Sequence, residues 1–252
     1  MEYVYCKIDS VALKAYVFFP EQSRTHKSNP AVVIFHGGGW AIGEPSWAFG
    51  RAQHFVEMGM VAIAAQYRLS DQKNVTPLEA MANAREVITW MRSNADSLHI
   101  DPDKIAAYGW SAGAHLAISA AIFNDSLSTP NVLILFSPAV SLEKDGWFRK
   151  LLLNRAEVRS LSPDKNVRKG LPPTIILQGR NDTVTPLAGV QDFVDRMTAS
   201  GNKCELIIYE GVGHLFTPSS EPDDGWPNPD PKIQAKAFAK VDEFLKSVGY
   251  VK

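Results

Sequence analysis

Six short apolar runs constrain the fold of this 252-residue chain more than any other feature: AVVIF (31–35), VAIAA (61–65), KIAAY (104–108), VLILF (132–136), TIILQ (174–178) and ELIIY (205–209). Their hydrophobicity is continuous rather than alternating, so both faces of each strand must be covered, as in a parallel sheet. Helical patterns fall between them. The stretch 77–95 follows Thr76 as N-cap, with Pro77 in the first turn. The stretch 186–201 runs from a proline to a glycine, and 229–249 is amphipathic up to the C-terminal residues. Strand and helix in alternation specify right-handed βαβ units and an α/β, doubly wound, mostly parallel sheet. YVYCKI and ALKAYVFF, parted by Asp9-Ser10, read as an antiparallel N-terminal hairpin on the sheet edge. The pattern gives about eight strands in all.

The length fits one domain over 1–252, and the hydrophobic content of 45% is enough for a large core. Two segments are irregular: 137–173, a short cap-like insertion, and 217–231, a Pro- and Asp-rich loop before the last helix. Both leave the edge where open α/β sheets bind ligands, so both are expected to wall a pocket. A net charge of −1 provides no footprint for nucleic acid. No apolar run is long enough for a bilayer span, so no membrane partner is expected. The N-terminus, MEYVYCKIDS, has no signal-peptide core, and a cytoplasmic location is expected unless a leader has been removed. Cys6 and Cys204 are too few and too far apart for a disulfide framework, and read as buried thiols.

One turn stands out. Gly109-Trp110-Ser111-Ala112-Gly113 ends an apolar strand and opens a helix. A bare G-x-S-x-G also occurs in ordinary tight turns. Between a strand and a helix it is the pattern of a nucleophile elbow, which exposes the serine hydroxyl on a strained turn. A serine nucleophile needs a base, and the base needs a group to hold its tautomer. In this architecture the order is serine, acid, histidine, each after a strand. Asp182 follows TIILQ and His214 follows ELIIY, which fits that order. Taken singly, Asp182 also reads as a helix-capping turn residue and His214 as a loop histidine. Of the other histidines, His36 is upstream and out of order. His115 belongs to the helix behind Ser111, and His26, His54 and His99 lack matching partners; structural or solvated roles are expected for all five.

His36-Gly37-Gly38-Gly39-Trp40 follows the first core strand. Successive glycines can turn backbone N–H groups toward a developing oxyanion, each donor lowering the barrier by about 3–4 kcal/mol. Gly37, Gly38 and Ala112 are the expected donors. A phosphate cradle is the competing reading, but no lysine follows and neither nucleotide-binding pattern is present.

HGGGW, YRLS (67–70), IDPDKIAAYGWSAGAHLA (100–117), LPPTIILQGRNDTVTP (171–186) and GVGHLF (211–216) together resemble the α/β-hydrolase superfamily. More narrowly, they are similar to its HGGG-type esterase/lipase branch, the hormone-sensitive-lipase-like carboxylesterases, and to bacterial acetylxylan- and feruloyl-esterase-like members. The resemblance runs from about residue 30 to the end. It implies Ser111 as nucleophile, His214 as base, Asp182 as orienter, and Gly37, Gly38 and Ala112 as oxyanion donors, with no cofactor and no metal. Two features depart from the pattern. The chain opens on strand-like sequence where the branch carries a helical cap, and Trp110 stands where the branch has aspartate.

The expected activity is hydrolysis of short-chain acyl esters through an acyl-enzyme, on a small-molecule or carbohydrate ester carrying acetyl or feruloyl groups. A serine peptidase of the same fold and a non-catalytic hydrolase-fold binder are the alternatives. Trp40 and Trp110 are the expected substrate-stacking residues, with Trp47, Trp147, Phe148 and Trp226 as further aromatics near strand-end loops. The run 147–153 reads either as a short helix over the site or as a homodimer contact.

Overall fold

The computed structural model describes residues 1–8, 11–21, 28–71, 74–123, 127–222 and 225–252. Asp9, Ser10 and His26 lie outside the described residues. Chain order runs β1 (Glu2–Ile8), β2 (Val11–Phe18), β3 (Asn29–Phe35), α1 (Phe49–Glu57), β4 (Val61–Ala65), α2 (Pro77–Ser93), α3 (Ala95–Leu98) and β5 (Ile100–Trp110). It continues with α4 (Ala112–Ile122), β6 (Val132–Phe136), α5 (Gly146–Leu151), α6 (Val158–Leu161), β7 (Thr174–Gly179), α7 (Leu187–Ala199), β8 (Cys204–Tyr209) and α8 (Pro231–Ser247).

Among the described residues the strands form one 8-stranded sheet in the order β1-β2-β4-β3-β5-β6-β7-β8. β1 pairs antiparallel with β2, and β2 with β4; every later pairing is parallel. This is the architecture expected from the apolar runs, with the hairpin at the edge. Alternation along β3 shows why those runs are continuous. Ala31, Val33 and Phe35 enter the core on one face, and Val32 and Ile34 the core on the other. The first core is closed by α2, α4, α5 and α7, and the second by α1 and α8.

α2 begins where a capping box is written. Leu78 N–H donates to Thr76 Oγ1 (3.3 Å), and Thr76 N–H donates to Glu79 Oε2 (2.7 Å). Several elements differ from the sequence reading. β8, read as covered on both faces, is an edge strand with no fully buried residue, and the short α3 and α6 carry no periodicity of their own. β5 is 11 residues long rather than the five of KIAAY, because Asp101–Lys104 bulge out of register between the Asn29↔Ile100 and Ala31↔Ile105 pairs. Pro102 cannot donate to a ladder, so this stretch does not read as strand. α1 escapes the periodicity because it buries only Ala52 and Phe55, a narrow stripe on a short helix. The parallel strands β3, β5, β7 and β8 deliver the loops bearing Gly37–Gly39, Ser111, Asp182 and His214 to one edge of the sheet.

Candidate active site

Ser111 caps α4 with φ 53° and ψ −122°, a positive-φ conformation outside the left-handed helical region that costs a non-glycine residue energy. The surrounding structure holds it there. Ser111 N–H donates to Phe136 O (3.0 Å), and Ser111 O accepts from Ala114 N–H (3.1 Å). The two flanking glycines are required by space. A methyl group on Gly109 would overlap the Gly113 carbonyl, and one on Gly113 would overlap the Phe35 carbonyl. The spacing G-x-S-x-G thus records how closely the turn, its helix and β3 approach one another.

Three side chains from three loops meet at this turn. His214 Nε2 lies 3.1 Å from Ser111 Oγ, and His214 Nδ1 lies 3.0 Å from Asp182 Oδ2. All three residues are buried. The Asp182 carboxylate is richly supplied with donors. Oδ1 accepts from the N–H groups of Val184 (3.0 Å) and Thr185 (2.7 Å). Oδ2 accepts from Gln178 Nε2 (3.1 Å) and lies 2.8 Å from Thr185 Oγ1. Burial pushes the Asp182 carboxyl up. The His214 hydrogen bond and charge, with the Thr185 donors, outweigh it and hold the group below the ordinary aspartate value. The imidazole loop is fixed by Leu215 N–H donating to Ser137 Oγ (3.0 Å) and Gly213 N–H to Thr217 O (2.7 Å).

The glycine loop lies beside the turn. Gly38 has φ +112°, and its carbonyl accepts from Ala41 N–H (3.1 Å) and Ile42 N–H (3.0 Å). Among the described residues no protein acceptor takes the N–H of Gly37, Gly38 or Ala112. His36 Nδ1 contacts Gly37 O at 2.6 Å, and the Tyr67 hydroxyl donates to His36 O at 2.7 Å. His115 accepts from Trp40 Nε1 at its Nδ1 (3.2 Å) and faces Leu161 O with Nε2 (3.2 Å). Burial lowers both His36 and His115 to about 4, so each is neutral. Both hold backbone in place, as expected from their positions. His54 pairs with Asp242 (2.8 Å), and His99 ends α3 in a left-handed conformation.

Trp40 and Trp110, the residues expected to stack on substrate, are 3% and 6% exposed. The Trp40 indole is spent on His115 and packs edge-on against Phe148 (4.8 Å between centroids). Trp110 lies in the opposite core with the Arg51 guanidinium 4.2 Å over its ring. Stacking needs an open ring face, and at these exposures each indole presents little of its ring to solvent in this structure. The exposed aromatics are Trp147 and Trp226; Trp226 packs edge-on against Trp47 (5.6 Å). Of the run 147–153, Phe148, Leu151 and Leu152 are buried within this chain, on and just after α5. Sequence reasoning missed Gln178, Thr185 and Ser137 as supports. The DTVT stretch did carry a signal, since an aspartate whose carboxylate takes the N–H groups two and three residues on is a recurring turn.

Cys6 and Cys204 are free, with burial as the main cause pushing their thiols up to about 11 and about 12. Among the described residues no group of three or more His, Cys, Asp or Glu side chains could hold a metal ion, and no helix is long and apolar enough to cross a membrane.

A family model for the alpha/beta hydrolase fold matches residues 32–218, and the chain belongs to that family. Among solved structures, the apo form of Thermogutta terrifontis esterase 2 superposes with a TM-score of 0.89 at 34% identity, covering 100% of this chain and 96% of that one. The same esterase has been captured with propionate bound, with butyrate bound and phosphorylated by paraoxon. Among curated relatives, a probable isoprenylcysteine alpha-carbonyl methylesterase of Arabidopsis thaliana is 26% identical over 216 residues, 73% of this chain and 50% of its own. An acetylxylan esterase of Xylanibacter ruminicola is 25% identical over 217 residues, 79% of this chain and 42% of its own. The chain thus spans about half the length of the methylesterases it matches.

Proposed function

We propose that the chain is a serine carboxylesterase that hydrolyses short-chain acyl esters through an acyl-enzyme. The observation that carries this reading is the continuous line from Ser111 Oγ to His214 Nε2 (3.1 Å) and from His214 Nδ1 to Asp182 Oδ2 (3.0 Å). Ser111 Oγ attacks the acyl carbonyl as His214 Nε2 takes its proton. Asp182, ionised and saturated with donors, keeps the Nδ1 proton facing it and stabilises the imidazolium. The oxyanion is received by the N–H groups of Gly37, Gly38 and Ala112, the last at the N-terminus of α4, where the helix dipole adds to the field. His214 returns the proton to the leaving alcohol. Water, deprotonated by the same nitrogen, then releases the acid and restores the serine. The chain's own residues supply every proton transfer in this scheme.

The proposed substrate is an acetyl, propionyl or butyryl ester of a small alcohol or a decorated sugar. The acyl size is supported by the propionate and butyrate complexes of the Thermogutta esterase. The sugar side is supported by the acetylxylan esterase relative. The test is initial rates on p-nitrophenyl acetate, butyrate, octanoate and laurate, with acetylated xylan and methyl ferulate alongside, for wild type and Ser111→Ala. Loss of turnover by several orders of magnitude in a folded S111A, and a fall in wild-type rate beyond butyrate, are expected. Retained S111A activity overturns the nucleophile, and rates rising toward laurate overturn the acyl size. Turnover of aminoacyl-nitroanilides without ester turnover points to a peptidase.

A further inference from the structure

α5 bears two neighbouring aromatics with opposite fates. Phe148 is fully buried against Trp40 and His115, with ring centroids at 4.8 and 5.4 Å. Its backbone N–H is capped by Asp145 Oδ1 (2.9 Å), which fixes the start of the helix. Trp147, one residue earlier, is 48% exposed, yet its indole N–H donates to Gly39 O at 2.9 Å. This bond joins residues 108 positions apart and reaches the third glycine of the HGGG loop. Gly39 has φ +55°, and a Cβ there would sit 3.0 Å from the indole nitrogen. The absence of a side chain is what lets the ring approach. The other end of the loop is already held from below, by His36 on Gly37 O and Tyr67 on His36 O. Trp147 is the hold from above.

We propose that Trp147 is a positioning residue for the reaction: its indole N–H fixes the Gly39 carbonyl, and through it the orientation of the Gly37 and Gly38 N–H groups that receive the oxyanion. The proposal rests on the serine-esterase reading. A rigid donor pair matters chiefly when the carbonyl oxygen becomes tetrahedral and charged, so the bond acts on kcat more than on ground-state binding. Removing the N–H leaves Ser111, His214 and Asp182 untouched.

The test uses two variants. Trp147→Phe keeps an aromatic ring and loses the donor. Trp147→His keeps a ring N–H and loses most of the ring area. Both changes are at an exposed position and are expected to melt within about 3 °C of wild type. The readouts are kcat and KM on p-nitrophenyl acetate, affinity for an alkylboronic acid as tetrahedral analogue, and inhibition by propionate as a ground-state ligand. W147F is expected to lose about tenfold in kcat and a similar factor in boronate affinity, with KM and propionate inhibition changed less than about twofold. W147H is expected to retain more of both than W147F. W147F equal to wild type overturns the proposal. So does W147F at or above W147H, or a loss spread equally over boronate and propionate, which would make the ring a plain pocket wall. If S111A is itself active, the esterase reading has failed; if S111A is dead while W147F matches wild type, only this inference has.

Discussion

Asp182 is buried among more donors than one carboxylate needs to pair with a single histidine. Backbone N–H groups from Val184 and Thr185 hold one oxygen, leaving the other for Gln178, Thr185 and His214. This arrangement fixes which way the imidazole points. Asp182→Asn would present an N–H where an acceptor is needed, stranding His214 in the wrong tautomer. A fall in kcat on the order of 10³–10⁴-fold is expected, with the melting temperature changed far less in proportion. Thr185→Val keeps the shape and removes one hydroxyl donor, and about a tenfold fall in kcat/KM is expected from steady-state kinetics. The glycines around Ser111 act by absence. Gly113→Ala must push against the Phe35 carbonyl, which is β-sheet backbone and cannot turn aside. It should cost about 3 kcal/mol or more in a urea melt and abolish activity, whereas Gly146→Ala, with open space around it, should be nearly neutral. At this scale the convergence of Ser111, His214 and Asp182 is legible, because order along the chain and placement after strands are written in sequence. The supports are not. Gln178 lies inside an apolar strand where its side chain reads as a break in the run, and only the tertiary fold brings it to Asp182.

The elements show which local signals survive packing. The Thr76 capping box, Pro77 and the apolar stripe of α2 agree with one another, and the helix starts where all three place it. Thr76→Ala removes a buried cap and should cost about 1 kcal/mol, lowering the melting midpoint by about 2–4 °C and leaving ester turnover unchanged. The fully buried strands β4 and β6 match their apolar runs residue for residue, because each is covered on both faces and bounded by turn residues. β5 does not, since a bulge carrying Pro102 interrupts its ladder. The aromatic residues were the least legible. A tryptophan beside a catalytic loop reads alike as a platform or as packing, and Trp40 and Trp110 pack while Trp147 remains at the surface.

For the whole molecule, the two neutral buried histidines set a vulnerability to acid. His36 and His115 lie at about 4 when folded, against about 6.5 when unfolded. Between those values the unfolded chain takes up protons that the folded chain refuses. Stability is therefore full above pH about 6.5 and falls as pH drops toward 4, by roughly 3 kcal/mol for each group. Asp182, held below its ordinary value, adds its own loss only further into acid. Thermal melts at pH 7, 5.5 and 4.5 should show the decline. His115→Gln can accept from Trp40 and donate to Leu161 without titrating, so it should flatten part of it. A slope unchanged in that variant would mean that His115 does not contribute to the decline.

In the proposed reaction Ser111 becomes covalently bonded to substrate, and paraoxon reports on that bond because it reacts at the same oxygen. Attack by Ser111 Oγ on phosphorus would form an O–P bond and expel p-nitrophenolate, leaving a tetrahedral phosphoryl group among the oxyanion donors. One equivalent of p-nitrophenolate released per active chain, a diethylphosphoryl group on the peptide carrying Ser111, and loss of ester turnover in step with labelling are expected. Full inactivation with Ser111 unmodified, or labelling to completion with ester turnover intact, would contradict the proposed reaction.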